Sequence, residues 1–127
     1  MNCEILFVSP SVQDVTSLTA MLAEASIRLT HSTSVWDACK ELKRQRFSAV
    51  LTEAELHDGG WRDILSFARA LSPPAEVVVT DRWADARFWA EALNLGAYDL
   101  LVQPFQGVEV RRILSSAARE TAAMAAC

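Results

Sequence analysis

Short apolar segments alternate along this chain with longer segments of helical spacing, and this alternation limits the fold more than any other feature. Five runs are short and bounded by polar, proline or glycine residues, which is typical of strands buried on both faces. These predicted strands are residues 4–9, 27–31, 49–53, 76–80 and 98–102. Amphipathic helices are predicted after each of them, the second beginning at the N-cap Ser34 and the fourth ending at Gly96.

Strands that alternate with helices through short connections form parallel sheets. Each helix runs back across the sheet in a right-handed crossover, so that the next strand starts at the same end as the previous one. The sequence therefore predicts an α/β fold with a doubly wound, five-stranded parallel sheet in the flavodoxin-like order 2-1-3-4-5, covered by helices on both faces. A chain of 127 residues is long enough for one such domain, which we assign to residues 1–127. We expect the alanine-rich segment 122–127 to be frayed.

Polar residues stand at the carboxyl ends of four predicted strands. Ser9, Glu53, Thr80 and Gln103 end or follow the first, third, fourth and fifth strands of the series. In open parallel sheets, ligands bind outside the carboxyl ends of the strands. These four residues therefore mark the candidate functional site.

Several motifs together resemble the receiver domain of bacterial two-component response regulators, the CheY-like family. They are the strand that ends at Ser9-Pro10, the segment 53–61, the run 77–80, the sequence Leu-Gly-Ala-Tyr-Asp at 95–99 and Gln103-Pro104-Phe105. The resemblance covers nearly the whole chain. It implies a signal-transduction protein of the phosphorelay type.

The resemblance is weakest at the positions that carry the family's chemistry. Receivers have an acidic pair for magnesium, a phospho-accepting aspartate, a serine or threonine, and a lysine. Those positions fall here on Ser9 and Pro10, on Glu53, on Thr80 and on Gln103. The resemblance thus implies a degenerate pseudo-receiver that binds no Mg²⁺, needs no cofactor, catalyses no reaction and is not phosphorylated. The alternative is a functional receiver that accepts a phosphoryl group by a non-standard route.

Two interpretations of Glu53 remain open at the sequence level. Glu53 is either a solvated acid at the end of a strand, or a carboxylate that accepts hydrogen bonds from Thr80 and Gln103 and imitates the phosphorylated state. Arg82 could supply the missing positive charge if its loop folds inward. The resemblance also implies a cis peptide bond between Gln103 and Pro104.

Aromatic residues around the predicted fourth helix indicate a protein-binding surface. We expect Trp83, Phe88, Trp89 and Leu101 to belong to it, on the face that receivers use for partners. The resemblance implies a protein partner such as a histidine kinase, a regulator or an output protein, and a homodimer is a further expectation. Core packing is the competing role, and the chain's tryptophans are expected to be mostly buried or half-buried.

Other kinds of site are less well supported by the residues. His57 and Asp58 with Ser9 or Thr80 could form a hydrolytic set, but no GxSxG motif is present. Glu55, His57 and Asp58 match no metal-ligand spacing. His31 is expected to pack within a strand. The charged segment 40–46 is more typical of a solvated helix face than of a binding patch.

Charge and hydropathy exclude other classes of partner. The formal net charge of −4 argues against a broad nucleic-acid surface. No apolar run reaches the ~20 residues of a membrane span, and no secretory signal pattern is visible at the start of the chain. Cys3, Cys39 and Cys127 form no CxxC pair, so we expect thiols in a reducing cytoplasm and neither a disulfide framework nor a zinc site.

Overall fold

The computed structural model describes residues 3–126, which form a parallel sheet, five helices and a small hairpin. The strand bounds agree with the sequence predictions to within about one residue. The strands are β1 Cys3–Val8, β2 Ile27–Ser32, β3 Ala49–Glu53, β4 Glu55–Leu56, β5 Gly59–Gly60, β6 Val77–Asp81 and β7 Asp99–Val102.

Short polar side chains cap the helices where the sequence indicated. Ser11 Oγ accepts a hydrogen bond from the Asp14 amide, and Ser34 Oγ accepts one from the Asp37 amide. Gly96 ends the fourth helix with φ at 113°, a backbone conformation that glycine adopts readily. The helices are α1 Val12–Ala23, α2 Val35–Arg44, α3 Trp61–Ala70, α4 Ala86–Leu95 and α5 Gly107–Ala126.

The sheet order is β2-β1-β3-β6-β7, with every neighbouring pair parallel. Without the two hairpin strands this is the order 2-1-3-4-5, so the predicted flavodoxin-like topology is confirmed. The register places Glu53 opposite Thr80, and Thr80 opposite Leu101. Side chains at the carboxyl ends of four strands therefore meet along one edge of the sheet.

Alternate residues of the central strands belong to two apolar clusters, one on each face of the sheet. Leu6 and Val8 pack with residues of α2, α3 and α4, whereas Ile5 and Phe7 pack with residues of α1 and α5. The same alternation separates Leu100 from Leu101. A strand that is apolar at consecutive positions is explained by burial on both faces.

The segment between β3 and α3, predicted as a simple loop, contains a hairpin. β4 pairs antiparallel with β5, and His57 and Asp58 form the turn. The Trp61 amide then donates to the Ala54 carbonyl across 3.1 Å. A Cβ atom at Gly60 would lie 2.8 Å from that carbonyl oxygen, so this close approach requires glycine.

The carboxyl-terminal segment is helical as far as residue 126. α5 continues to Ala126, so the segment expected to fray is helical over residues 122–126, while Cys127 lies outside the described residues. Alanine has the highest helix propensity of all residues. Thr121 also anchors this end, because its side chain is buried and its hydroxyl accepts a 3.0 Å hydrogen bond from the Glu76 amide.

Candidate functional site

Ser9 and Glu53 are in direct contact at the edge where β1 and β3 end. Ser9 Oγ donates a hydrogen bond of 2.7 Å to Glu53 Oε2 and accepts one of 3.0 Å from the Ser11 amide. Ser9 is fully buried and Glu53 is half-buried. Sequence reasoning gave Ser9 no donor role, although a serine at the end of the neighbouring parallel strand is within reach of such a carboxylate.

Gln103 reaches two members of the site with one amide nitrogen. Its Nε2 donates to Thr80 Oγ1 across 3.2 Å, and a longer contact of 3.4 Å joins it to Glu53 Oε1. The predicted donation from Gln103 to Glu53 is thus observed, and the predicted cis bond between Gln103 and Pro104 is confirmed. The carboxylate receives neutral donors on both oxygens.

Thr80 does not donate to Glu53, which is a correction to the sequence interpretation. Its hydroxyl donates to the Leu101 carbonyl on β7 across 2.7 Å and accepts from Gln103. A hydroxyl has only one proton to give. Because Thr80 is fully buried on β6 and lies opposite Leu101 of β7, its proton goes to the nearby backbone carbonyl and not to the carboxylate.

Arg82 also differs from its expected role. Its Nη2 donates to Gln103 Oε1 across 3.2 Å, so the guanidinium orients the glutamine and does not pair with Glu53. Among residues 3–126, no ion pair includes Glu53. The site is therefore an ordered set of hydrogen bonds around one carboxylate without a directly paired cation.

A residue of β2, His31, contacts the backbone of the loop that follows β1. His31 Nε2 lies 2.6 Å from the Ser9 carbonyl oxygen, and the imidazole stacks on Phe7. His31 is thus packed within its strand, as predicted. Pro10, the second residue at the position of the family's acidic pair, is exposed.

Asp58 has a structural role that sequence reasoning missed. Its two carboxylate oxygens accept hydrogen bonds from the Val35 amide, at 2.8 Å, and the Trp36 amide, at 3.0 Å. Asp58 therefore caps α2 from a distant hairpin. The bond from the Trp36 amide, followed by the one from Val35, lowers the pKa of the Asp58 carboxyl. The only sequence signal was the two unsatisfied amides after Ser34.

The hydrolytic and metal alternatives gain no support from these positions. Asp58 is bound to α2, Ser9 to Glu53, and Thr80 to Leu101. Within residues 3–126, no three histidine, cysteine, aspartate or glutamate side chains are grouped so that they could hold a metal ion.

In the same part of the chain, no helix has the length and apolar character that a membrane crossing requires.

The residues predicted for partner binding divide into exposed and buried ones. Trp83 is 84% exposed and Trp89 is 39% exposed. Phe88 is half-buried against Trp61, and Leu101 is 1% exposed within the core, so Leu101 cannot contact a partner. A β-strand places alternate residues on opposite faces, and Leu101 faces the cluster beneath α5.

The tryptophans are also more exposed than the sequence suggested. Trp61 is buried, but Trp36 on α2 is 68% exposed and carries Lys40 Nζ 4.3 Å from its ring centroid. The expectation that the tryptophans are mostly buried or half-buried is wrong for Trp36, Trp83 and, by a smaller margin, Trp89. Their helices or loops present these rings outward, away from both clusters.

Comparison with known proteins shows similarity at the level of structure. No protein-family profile and no curated protein sequence matches the chain. Among solved structures, the signal receiver domain of a protein described as a LuxO repressor from Vibrio parahaemolyticus has a TM-score of 0.88 at 15% identity. The alignment covers 97% of this chain and 95% of that one.

Two further structures match along nearly their whole length. The beryllofluoride-activated NtrC4 receiver domain dimer has a TM-score of 0.85 at 23% identity, covering 93% of this chain and 98% of that one. The receiver domain of a sensor histidine kinase from Pseudomonas aeruginosa PAO1, solved with a coordinated magnesium ion, has a TM-score of 0.80 at 24% identity, covering 94% and 99%. This chain has the receiver-domain, CheY-like fold.

Proposed function

We propose that this protein is a non-enzymatic signalling module of the two-component type that binds a protein partner without being phosphorylated. The observation that carries the proposal is the set of hydrogen bonds around Glu53. Its carboxylate already accepts from Ser9 and from Gln103, where receivers have an acid and a lysine. The site is thus filled by its own polar groups.

The donor set around Glu53 fits a catalytic magnesium poorly. Mg²⁺ is usually held by one or two carboxylates together with phosphate oxygens and waters. Glu53 is a single carboxylate here, Ser9 Oγ is already bonded to it, and Pro10 has no side-chain ligand. Phosphoryl transfer depends on positioning and charge neutralisation. The neutral amide of Gln103 supplies neither a positive charge nor a negatively charged metal ligand.

The surface proposed for the partner comprises Trp83, Trp89, Leu93 and Val102. All four side chains are exposed, and Trp89 and Leu93 are one turn apart on α4. Val102 lies on the same side of the sheet as Leu100, which packs with α4 residues. Exposed aromatic and aliphatic groups in one region are typical of protein interfaces.

The proposed partner is a histidine kinase, a regulator or an output protein, or a second copy of this chain. The NtrC4 receiver domain forms a dimer, which makes self-association a specific candidate. A cytoplasmic location is part of the proposal. It is consistent with Cys3 and Cys39, which are both free thiols.

The phosphorylation part is tested by intact-mass spectrometry after incubation with acetyl phosphate and Mg²⁺. We expect no mass increase of one phosphoryl group. A magnesium titration followed by tryptophan fluorescence is expected to show no saturable change. A magnesium-dependent phosphoryl adduct that is absent in Glu53→Gln would establish the alternative, a receiver that still accepts a phosphoryl group.

The surface is tested with two tryptophan variants. Trp89→Ala is expected to weaken self-association in sedimentation experiments, or capture of a purified partner kinase or regulator. Trp36→Ala is the matched control, because Trp36 is also exposed but lies on α2, outside this surface. A monomer at high concentration, together with partner capture that Trp89→Ala leaves unchanged, would contradict the proposal.

A further inference from the structure

A groove of about 690 Å³ opens at the edge of the sheet opposite Glu53, near the amino ends of the strands. Three segments form most of it: residues 42–48, from the last turn of α2 to the start of β3, residues 71–75 after α3, and one side of the end of α5. Its volume lies within the range of about 300–1,000 Å³ that is typical of ligand sites. None of the residues proposed above for partner binding lines this groove.

The α5 wall of the groove consists of small side chains. Ala118, Ala122 and Ala125 recur at helical spacing and face the groove, and Ala75 lies beside them. Pro73 and Pro74 complete the apolar lining with rigid rings. Because alanine side chains end at Cβ, the space above them fits large apolar side chains of another molecule.

The opposite wall is cationic. Lys43, Arg44 and Arg46 all line the groove and are exposed, on a chain whose net charge is −4. Arg44 is paired with Glu41 across 2.7 Å. None of the ion pairs found in residues 3–126 includes Lys43 or Arg46.

The carboxylate that lines the groove is engaged elsewhere. Glu4 accepts hydrogen bonds from the Thr30 hydroxyl and, across 3.0 Å, from Gln45 Nε2. The Thr30 bond is the main cause of a lowered pKa at Glu4, so this acid stays ionised and bound to neutral donors. Lys43 Nζ lies 5.8 Å from the Phe67 ring centroid, a contact that does not neutralise its charge, and no ion pair in residues 3–126 includes Arg46. Both positive charges can therefore meet a ligand.

We propose that this groove is a second docking site, and that its occupant is an acidic amphipathic segment of a protein partner. Large apolar side chains of that segment would rest on the alanine wall of α5, and its carboxylates would meet Lys43 and Arg46. Complementary charge at the rim of an apolar contact steers association and fixes orientation. This site goes beyond the function proposed above, because it uses neither Glu53 nor the α4 surface.

The test begins with a displayed library of random 15-residue peptides selected on the full chain. Peptides that also bind the double variant Lys43→Glu/Arg46→Glu are discarded, because their binding does not depend on these two charges. The expected survivors combine aspartate or glutamate with leucine, phenylalanine or tryptophan. If no sequences survive, or if the survivors lack acidic residues, the proposal is wrong.

A fluorescein-labelled survivor is then titrated in fluorescence anisotropy. Lys43→Glu/Arg46→Glu is expected to weaken binding about tenfold, since it turns two attractive charge contacts into repulsive ones. Ala122→Glu is expected to weaken binding as well, because it places a carboxylate on the apolar wall. Both variants are first checked for a native thermal unfolding transition.

Arg87→Glu/Arg112→Glu is the matched control. It reverses two exposed arginines that do not line the groove, and it should leave the affinity unchanged. An equal loss in both double variants would mean a general charge effect and would overturn the site. Tighter binding of a 15-nucleotide RNA or of phosphatidylglycerol vesicles than of the selected peptide would also overturn it.

Discussion

The Ser9 hydroxyl donates to Glu53 across 2.7 Å, which joins the carboxyl ends of β1 and β3 through two side chains. Receivers have an acid at the Ser9 position, and an acid there would repel the Glu53 carboxylate. The serine supplies a donor in its place. The contact gives the half-buried Glu53 carboxylate a neutral hydrogen-bond donor from the neighbouring strand end.

Ser9→Ala is expected to lower the free energy of unfolding by about 1–2 kcal/mol. Hydrogen bonds to charged groups contribute roughly 1.5–3 kcal/mol, and the half-buried position of Glu53 reduces this value. Urea denaturation measures the change. In a Glu53→Ala background the same substitution should cost clearly less, and an equal cost in both backgrounds would show that the contact does not stabilise the fold.

Thr80 links the site to β7, and its removal is expected to disturb that strand. Thr80→Val keeps the shape but leaves the buried Leu101 carbonyl without its donor, at a cost of about 1–3 kcal/mol. Amide NMR signals of β7 and α4 should shift. Thr80→Ser retains the hydroxyl and is the control, and unchanged β7 signals in Thr80→Val would contradict the link.

Glu53→Gln tests whether the carboxylate holds the domain in one conformational state. Gln103 contacts both Glu53 and Thr80, and Thr80 donates to Leu101, so a change at Glu53 can reach β7 through three hydrogen bonds. We expect shifted amide signals in β7 and α4 in addition to local shifts. If the shifts stay confined to the neighbours of Glu53, no coupling runs from the site to the α4 surface.

The sequence was sufficient to predict the sheet because burial on both faces leaves a strong signal. Runs such as Val77-Val78-Val79 have no alternation, and only a doubly covered strand explains them. The helix caps at Ser11 and Ser34 could also be predicted, because the capping side chain and the amide that it binds are only three residues apart in the sequence. Local chemistry therefore fixed most element boundaries.

Long-range polar contacts were beyond the sequence. The positions of Ser9 and Gln103 near Glu53 followed from the topology, but the direction of the Thr80 proton depended on the distance to one carbonyl. The Asp58 cap joins residues more than 20 positions apart, which no local pattern reveals. The exposure of Trp36 and Trp83 likewise depends on how their segments turn relative to the core.

Leu101 offers a test of the corrected assignment from surface to core. Leu101→Ala is expected to lower the free energy of unfolding by about 2–5 kcal/mol, because it removes a buried side chain and leaves a cavity. Val102→Ala, one residue away and 41% exposed, is the control and should cost much less. Similar losses at both positions would contradict the alternation of β7.

The Asp58 cap is expected to make part of the domain's stability depend on pH. Bonds from the Trp36 and Val35 amides lower the pKa of this carboxyl below its ordinary value of about 3.9. Because the folded-state pKa lies below the unfolded-state pKa, the stabilisation is complete at a pH above the unfolded-state pKa. It is lost as the pH falls through the folded-state pKa. Asp58→Asn should therefore lower the unfolding temperature at neutral pH.

The stability difference between the parent and Asp58→Asn is the quantity to follow, because Glu4 also has a lowered pKa and contributes equally to both proteins. This difference should shrink in acid, where Asp58 itself becomes neutral. Hydrogen exchange should quicken at the Val35 and Trp36 amides of the variant. Glu55→Gln, an exposed acid of the same hairpin, is the control and should leave both amides protected. A difference that persists unchanged in acid, or unaltered exchange at both amides, would show that the α2 terminus does not depend on the Asp58 charge.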